Sequence, residues 1–229
     1  MSKNSSRDWL AVELRGFAAA LPKGALVLDA GAGDQRNAPI FADQTYESAD
    51  FEKVDKVYRP PTYSCDLVAV PVEDGRFDAI VMTQVLEHAP DPAAMLTEMR
   101  RILKPGGRIL LTAPLWFEEH EKPYDFYRYT RFGLAHLLTG SGFAVEDVRS
   151  LEGYMGTVAH QLRLMWKNLP WRPSAYGGGI LGLVFAIVFQ FVRIWLYPIR
   201  RLANAADRRH RHRATDLPIN YLAIAHRAA

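Results

Sequence analysis

The chain has 229 residues, enough for one α/β domain with a full core and a small appendage, and its 49% hydrophobic and 23% charged residues exclude global disorder. The net charge of +3 does not by itself imply a nucleic-acid partner, yet six arginines crowd positions 200–213 and suit either an anionic surface or a solvated charged face. Cys65 is the only cysteine, which excludes an internal disulfide framework and a cysteine-based zinc site, and the polar first six residues lack the apolar run of a secretory signal, so the main domain is expected in the cytoplasm.

Leu10, Leu14, Phe17, Ala18 and Leu21 recur at helical spacing before Pro22, and the apolar Ala25-Leu26-Val27-Leu28 reads as a buried strand. Further strands are predicted at 45–50, 63–67 and 77–82. Asp91 as N-cap, Pro92 at the first helical position, and Leu96, Met99, Ile102 and Leu103 on one face predict an amphipathic helix. Lys104-Pro105-Gly106-Gly107 is read as its stop, with a buried strand at 108–113 after it. A helix over 131–138 leads through Gly140-Ser141-Gly142 into a strand at 143–148. Strands alternating with helices imply a doubly wound, mostly parallel sheet covered on both faces. After residue 150 the pattern changes to a helical stretch reaching 169, a turn-rich 170–179, a long apolar run, the arginine cluster and a last strand at 221–225.

In such a sheet, ligands bind beyond the carboxyl ends of the strands, where the first strand-to-helix turn, 29–34, lies. Gly31 and Gly33 allow the backbone close to a bulky ligand, and Asp29 offers a carboxylate to an ammonium group. The dinucleotide fingerprint requires a third glycine where this chain has Arg36, which disfavours a nicotinamide or flavin cofactor. Asp50, at the end of the second strand, is placed to bind ribose hydroxyls, with Glu47 as the second choice. Asp29 and Asp50 also each read as helix-start or turn carboxylates.

Val27-Leu28-Asp29-Ala30-Gly31-Ala32-Gly33, Asp66-Leu67, Phe77-Asp78-Ala79-Ile80-Val81, Val85-Leu86-Glu87-His88 and Arg101-Ile102-Leu103-Lys104-Pro105-Gly106-Gly107 follow one another in order. Together they resemble the motifs of class I S-adenosylmethionine-dependent methyltransferases, specifically the type-11 methyltransferase domain, over about residues 21–150. The resemblance implies a Rossmann-like, seven-stranded sheet of order 3, 2, 1, 4, 5, 7, 6, completed by the strand at 221–225. With the change of pattern after residue 150, the chain is expected to divide into a cofactor-binding domain at 1–150, a helical appendage at 151–215 and a returning strand at 216–229. The resemblance also implies S-adenosyl-L-methionine as cofactor. Asp29, Gly31 and Gly33 then serve its methionine and ribose side, Asp50 the ribose hydroxyls, Asp66 and Leu67 the adenine, and Gln84 the methionine moiety. Where many relatives have another glycine after the second, this chain has Asp34-Gln35-Arg36.

Glu87-His88 offers an acid-base or metal pair, but two ligands do not make a metal site and helix-start packing accounts for them, so no metal is expected. The segment from His120 to Thr130 follows the fifth strand and falls over the cofactor's edge of the sheet. His120, Tyr124 and Asp125 are the candidate catalytic residues, with aromatic walls around an acceptor hydroxyl and His120 or Asp125 taking its proton. The competing reading packs these aromatics onto the next helix and pairs Asp125 with Arg128.

The run 180–189 has no polar side chain and continues after Gln190 to Tyr197. A clean membrane span needs ~20 apolar residues, and Gln190, Arg193 and a closing Pro198 argue against one. A membrane-surface or re-entrant helix fits better, with Trp195 and Tyr197 at the interface and the arginines on anionic headgroups; the rival is a helix buried against the domain or a partner chain. The reading is therefore a methyltransferase for a small-molecule or lipid-linked acceptor, by O-methylation, peripheral or monotopic at the inner membrane face. Its rival is a non-catalytic cofactor-binding scaffold recruited to a membrane. A nucleic-acid acceptor is disfavoured, since Gln84-Val85-Leu86-Glu87 stands where an Asn-Pro-Pro-Tyr-type motif would be.

Overall fold

The computed structural model describes residues 5–52, 58–213 and 217–228. The chain forms two compact units, one of Leu10–Leu151 with Asn220–Ala229 and one of Met1–Trp9 with Glu152–Ile219. The described residues Ser5–Trp9 thus group with the appendage, whereas the sequence reading placed them in the domain at 1–150. The reason is a set of polar contacts: Ser5 N donates to Asn204 Oδ1 (3.2 Å), Trp9 Nε1 to Asp207 Oδ2 (3.0 Å) and Arg208 Nε to Asp8 Oδ2 (2.6 Å).

The larger unit holds a seven-stranded sheet of order β3-β2-β1-β4-β5-β7-β6, as the resemblance implied. Its strands are β1 (Leu26–Ala30), β2 (Thr45–Asp50), β3 (Tyr63–Ser64), β4 (Phe77–Thr83), β5 (Leu103–Pro114), β6 (Phe143–Ser150) and β7 (Asn220–Arg227). Pairing is parallel from β3 to β5, while β7 runs antiparallel to both β5 and β6. Val27, Leu28, Ala79, Ile80, Ile109, Leu110 and Leu111 are all fully buried, which is why these segments read as unbroken apolar runs. Helices α1 (Ser5–Ala19), α2 (Pro92–Ile102) and α3 (Arg131–Gly140) precede or connect them. α2 begins as expected, with Asp91 accepting a hydrogen bond from Ala94 N (3.0 Å) and Met95, Leu96, Met99 and Ile102 on its buried face.

Two boundaries differ from the sequence reading. β3 ends at Ser64 rather than 67, because Asp66 closes a turn there, its side chain accepting from Val68 N (3.2 Å) and its carbonyl from Ala69 N (3.1 Å). Lys104-Pro105-Gly106-Gly107 belongs to β5 rather than to a stop between helix and strand. The fully buried Leu103 pairs with Phe77 and Arg108 with Ala79, so these four residues loop out as a bulge, with Gly106 at φ +72° supplying the bend.

The smaller unit contains α4 (Tyr154–Asn168) and α5 (Gly179–Arg209). α5 passes through Pro198 as one helix of 31 residues, about 46 Å long, instead of closing at that proline. A mid-helix proline costs ~3 kcal/mol or more, and packing on both sides offsets it: Gly182, Ala186 and Leu196 are buried before Pro198, Ala203, Asn204 and Asp207 after it. Its other faces are apolar and open, with Ile180 83%, Phe191 64% and Trp195 65% exposed. Among the described residues α5 alone is long and apolar enough to cross a membrane, by length and composition.

Candidate cofactor and acceptor site

The carboxyl end of β1 delivers Asp29 and then the glycine loop. Gly31 N and Ala32 N both donate to Ala49 O on β2 (2.8 and 3.2 Å), which pins the loop to the neighbouring strand. Gly31 sits at φ +79° with Val85 so close that a Cβ would collide with its side chain. Gly33, at φ +53°, has no heavy atom within 4 Å of the place a Cβ would take, and its N–H donates to Asp50 Oδ2 (2.7 Å). The other oxygen of Asp50 accepts from Glu52 N (3.0 Å).

Asp29 is fully buried. Its Oδ2 accepts from Tyr46 Oη (2.8 Å) and Asn37 Nδ2 (3.4 Å), whereas Oδ1 has no partner. Loss of solvation pushes its carboxyl up to about 6. Tyr46 and Asn37 escaped the sequence reading, and only the alternation along β2 hints that Tyr46 shares a face with Ser48 and Asp50.

Of the other expected cofactor residues, Leu67 is buried and Asp66 exposed, directly after Cys65, whose N–H donates to Asp50 O (3.0 Å). Gln84 has φ +57° and is turned onto β5, its N–H donating to Thr112 O and its Nε2 to Thr112 Oγ1, both at 3.1 Å. Glu47 is committed elsewhere, accepting from Tyr63 Oη (2.8 Å) and pairing with Arg76 (2.7 Å). Arg36 folds back on Asp34 (2.7 Å), whose carboxyl it holds below the usual range.

The segment after β5 is stitched to the turn that follows β4. Phe126 N (2.9 Å) and Tyr127 N (3.3 Å) donate to Glu87 O, Tyr129 Oη donates to Leu86 O (3.1 Å), and His88 Nδ1 contacts Tyr124 O. The Tyr124 ring meets Phe51 edge-on, 5.7 Å between centroids. His120 and Asp125 are neighbours, with Asp125 Oδ2 accepting from His120 N (2.8 Å). Asp125 also takes both terminal nitrogens of Arg128 (2.6 and 2.8 Å), and that guanidinium holds its carboxyl down at about 2. Beside them Glu87 is wholly buried with neither carboxylate oxygen hydrogen-bonded, and burial pushes its carboxyl up to about 8. Burial likewise lowers the His88 pKa.

Residues 5–148 match the family model described as a methyltransferase domain. The chain belongs to the methyltransferase-domain family. A Mycolicibacterium smegmatis protein named "probable S-adenosylmethionine-dependent methyltransferase" is 31% identical over 135 residues, 53% of this chain and 52% of that protein. A ubiquinone/menaquinone biosynthesis C-methyltransferase of Paraburkholderia phymatum is 36% identical over 78 residues, 33% of this chain and 32% of its own. The chain thus spans about half or less of the curated relatives it matches. Among solved structures, the Burkholderia thailandensis 1,6-didemethyltoxoflavin-N1-methyltransferase, with S-adenosylhomocysteine bound, superposes with a TM-score of 0.56 at 17% identity, covering 98% of this chain and 79% of that one. That likeness is one of fold.

The Mycolicibacterium smegmatis relative is named as S-adenosylmethionine-dependent, and the Burkholderia thailandensis structure holds S-adenosylhomocysteine. The groups at the end of β1 have the chemistry for such a cofactor. A buried carboxylate oxygen lacks a partner, as a methionine ammonium requires, and beside Gly33 the backbone has open space instead of a side chain.

Proposed function

We propose that this chain transfers the methyl group of S-adenosylmethionine to a hydroxyl of a small-molecule or lipid-linked acceptor held near an anionic membrane surface. Asp29, Gly31 and Gly33 hold the methionine and ribose side of the cofactor, Asp50 the ribose hydroxyls, Asp66 and Leu67 the adenine, and Gln84 the turn beside the methionine. The observation that carries the cofactor assignment is the unpartnered Oδ1 of Asp29 next to two glycines at positive φ. When bound, the cofactor supplies an already activated methyl group, so the protein's contribution is to position the acceptor and take up its proton.

His120 is the proposed proton acceptor. Its Nδ1 faces Glu118 O (3.1 Å), the arrangement of an Nδ1–H donor, which leaves Nε2 to receive a proton. Tyr124 walls the acceptor, with its ring against Phe51. Asp125 serves as a positioning residue rather than a base, because a carboxylate tied to Arg128 and to His120 N, with its pKa near 2, retains a proton poorly near neutrality. The choice of oxygen as the methylated atom rests on this histidine.

The membrane part of the proposal rests on α5. Its open apolar faces carry Trp195 and Tyr197, while Arg200 and Arg201 stack over the Tyr197 ring at 5.3 and 6.0 Å, an arrangement suited to the boundary between acyl chains and anionic headgroups.

Calorimetric titration of the full chain with S-adenosylhomocysteine tests the cofactor assignment. Binding is expected, and Asp50→Ala weakens it at least tenfold; no binding, or undiminished binding by that variant, overturns it. Incubating membrane extracts with radiolabelled methyl donor tests the acceptor: label enters a lipid-extractable or small-molecule product with the wild type and falls at least tenfold with His120→Gln. Label in nucleic acid instead contradicts the proposed acceptor.

A further inference from the structure

Glu87, His88 and His120 each present a ligand atom, and these atoms lie within 4.8 Å of one another. Glu87 Oε1 is 3.8 Å from His88 Nε2 and 3.9 Å from His120 Nε2, and the two imidazoles meet edge to face with centroids 4.7 Å apart. Tetrahedral zinc with nitrogen and oxygen ligands at ~2.0–2.2 Å sets those ligands roughly 3.4 Å apart, so a contraction of about half an ångström brings Glu87 Oε1 to ligand spacing from each histidine.

The surroundings of the three groups point the same way. A histidine ligand commonly gives its second ring nitrogen to a carbonyl or carboxylate, which fixes the tautomer and the ring. Both histidines do so here, His88 Nδ1 meeting Tyr124 O and His120 Nδ1 meeting Glu118 O (3.1 Å), which leaves both Nε2 atoms turned toward Glu87. Independently, Glu87 is wholly buried, and neither carboxylate oxygen has a hydrogen-bond partner. A buried carboxyl with no hydrogen-bond partner is costly to ionise, and a cation bound to its ionised form is one of the few groups able to offset that cost.

We infer that Glu87, His88 and His120 form a binding site for a divalent transition metal of the zinc type, built between the turn after β4 and the segment after β5. Two imidazoles and one carboxylate leave one position of a tetrahedral ion to water or to an oxygen donor, the pattern of metal sites that take part in chemistry rather than purely structural ones. Glu121 Oε2, 3.9 Å from His88 Nε2, adds negative charge beside the ion. The site lies along the chain from Val85, the residue against Gly31, so the metal and the glycine loop share one short turn. The inference holds whichever acceptor is methylated; the proton uptake proposed for His120 belongs to the metal-free chain, since a bound ion occupies the same Nε2.

The test uses the full chain stripped with a chelator and titrated with Zn2+ by calorimetry and with Co2+ by visible absorption, S-adenosylhomocysteine binding being measured on the same samples. One equivalent per chain and a tetrahedral Co2+ spectrum are expected. Glu87→Gln and His120→Gln each lower metal affinity at least tenfold while still binding S-adenosylhomocysteine, which shows that they are folded. The paired change His210→Gln and His212→Gln leaves uptake unaltered. Failure to take up either metal by protein that binds S-adenosylhomocysteine overturns the site. So does uptake unchanged in Glu87→Gln and His120→Gln, or uptake lost only with His210 and His212. Metal uptake with no S-adenosylhomocysteine binding would instead contradict the proposed methyl transfer and leave the metal site standing.

Discussion

Asp125 grips Arg128 through both carboxylate oxygens, at 2.6 and 2.8 Å, with only 4% of the Asp125 side chain exposed. Arg128 in turn donates to Phe117 O (3.1 Å) and Glu118 O (3.0 Å), and Asp125 accepts from His120 N, so one ion pair sets the course of the loop that carries the proposed base. Asp125→Asn is expected to destabilise the chain by about 2 kcal/mol, the scale of a hydrogen bond to a charged partner. Methyl transfer falls with it, while S-adenosylhomocysteine affinity stays within twofold. Because the folded pKa of about 2 lies below the ordinary 3.8, this stabilisation is complete above pH 3.8 and disappears as pH falls through about 2. Thermal unfolding of variant and wild type between pH 7 and pH 2.5 measures the convergence.

Asp29 has the opposite sign. Its carboxyl titrates near 6 in the fold against 3.8 ordinarily, so its contribution to stability is whole below pH 3.8 and is lost as pH rises through about 6, a cost of about 3 kcal/mol at neutral pH. Asp29→Asn is therefore expected to raise the melting temperature at pH 7.5 and change it little at pH 4. If the ionised carboxylate receives the cofactor's ammonium, S-adenosylhomocysteine affinity in the wild type drops up to tenfold per unit of pH below 6. In Asp29→Asn that affinity is weaker and independent of pH over the same range. A flat wild-type profile in calorimetry would remove Asp29 from the binding role.

The two loop glycines separate folding from binding. In Gly31→Ala a methyl group meets Val85 at φ +79°, so both stability and cofactor affinity fall, the former by ~2 kcal/mol or more from strain and overpacking. Gly33→Ala adds its methyl group to open space at φ +53°, and costs ~1 kcal/mol of stability while lowering S-adenosylhomocysteine affinity at least tenfold. Melting curves and titrations of the two variants check the contrast; equal affinities for Gly33→Ala and wild type would exclude a ligand beside that residue.

Charge on α5 governs the expected membrane binding. Arginines near an anionic bilayer contribute ~1 kcal/mol each, so replacing Arg200 and Arg201 by Gln lowers the partition onto vesicles containing anionic lipid by about 30-fold. Trp195→Ala lowers it further at every salt concentration, whereas the arginine effect fades as salt rises. Co-sedimentation with anionic and neutral vesicles distinguishes these. A chain that stays monomeric and entirely in the supernatant at low salt, without detergent, does not bind bilayers through α5.

The sheet was readable in advance because each central strand is buried on both faces and so spells an apolar run, and because Asp91-Pro92 marks a helix start in the chain's own chemistry. Local signals fail where distant residues decide. Lys104-Pro105-Gly106-Gly107 reads as a helix stop until Leu103 is seen paired with Phe77, and Pro198 reads as a helix end until packing on both of its sides is visible. The same holds at the site. Asp29, the glycines and Asp50 lie within 22 residues and were legible together. Glu87 and His88 read as mere packing because the third group of their cluster, His120, comes 32 residues after His88 and arrives through tertiary hydrogen bonds, among them those of Phe126 and Tyr127 to Glu87.

β7 occupies the slot between β5 and β6, yet it is made after both, and its Arg227 reaches back to Leu103 O at the start of β5 (2.5 Å). During synthesis β5 and β6 must wait, each with an unfilled edge, until the whole helical segment 152–219 has emerged, an interval on the order of ten seconds at ordinary elongation rates. Through that interval the nascent sheet presents a gap shaped for a strand of eight residues. A ribosome stalled between residues 151 and 219 therefore holds a chain whose cofactor loop is made but whose sheet is still open.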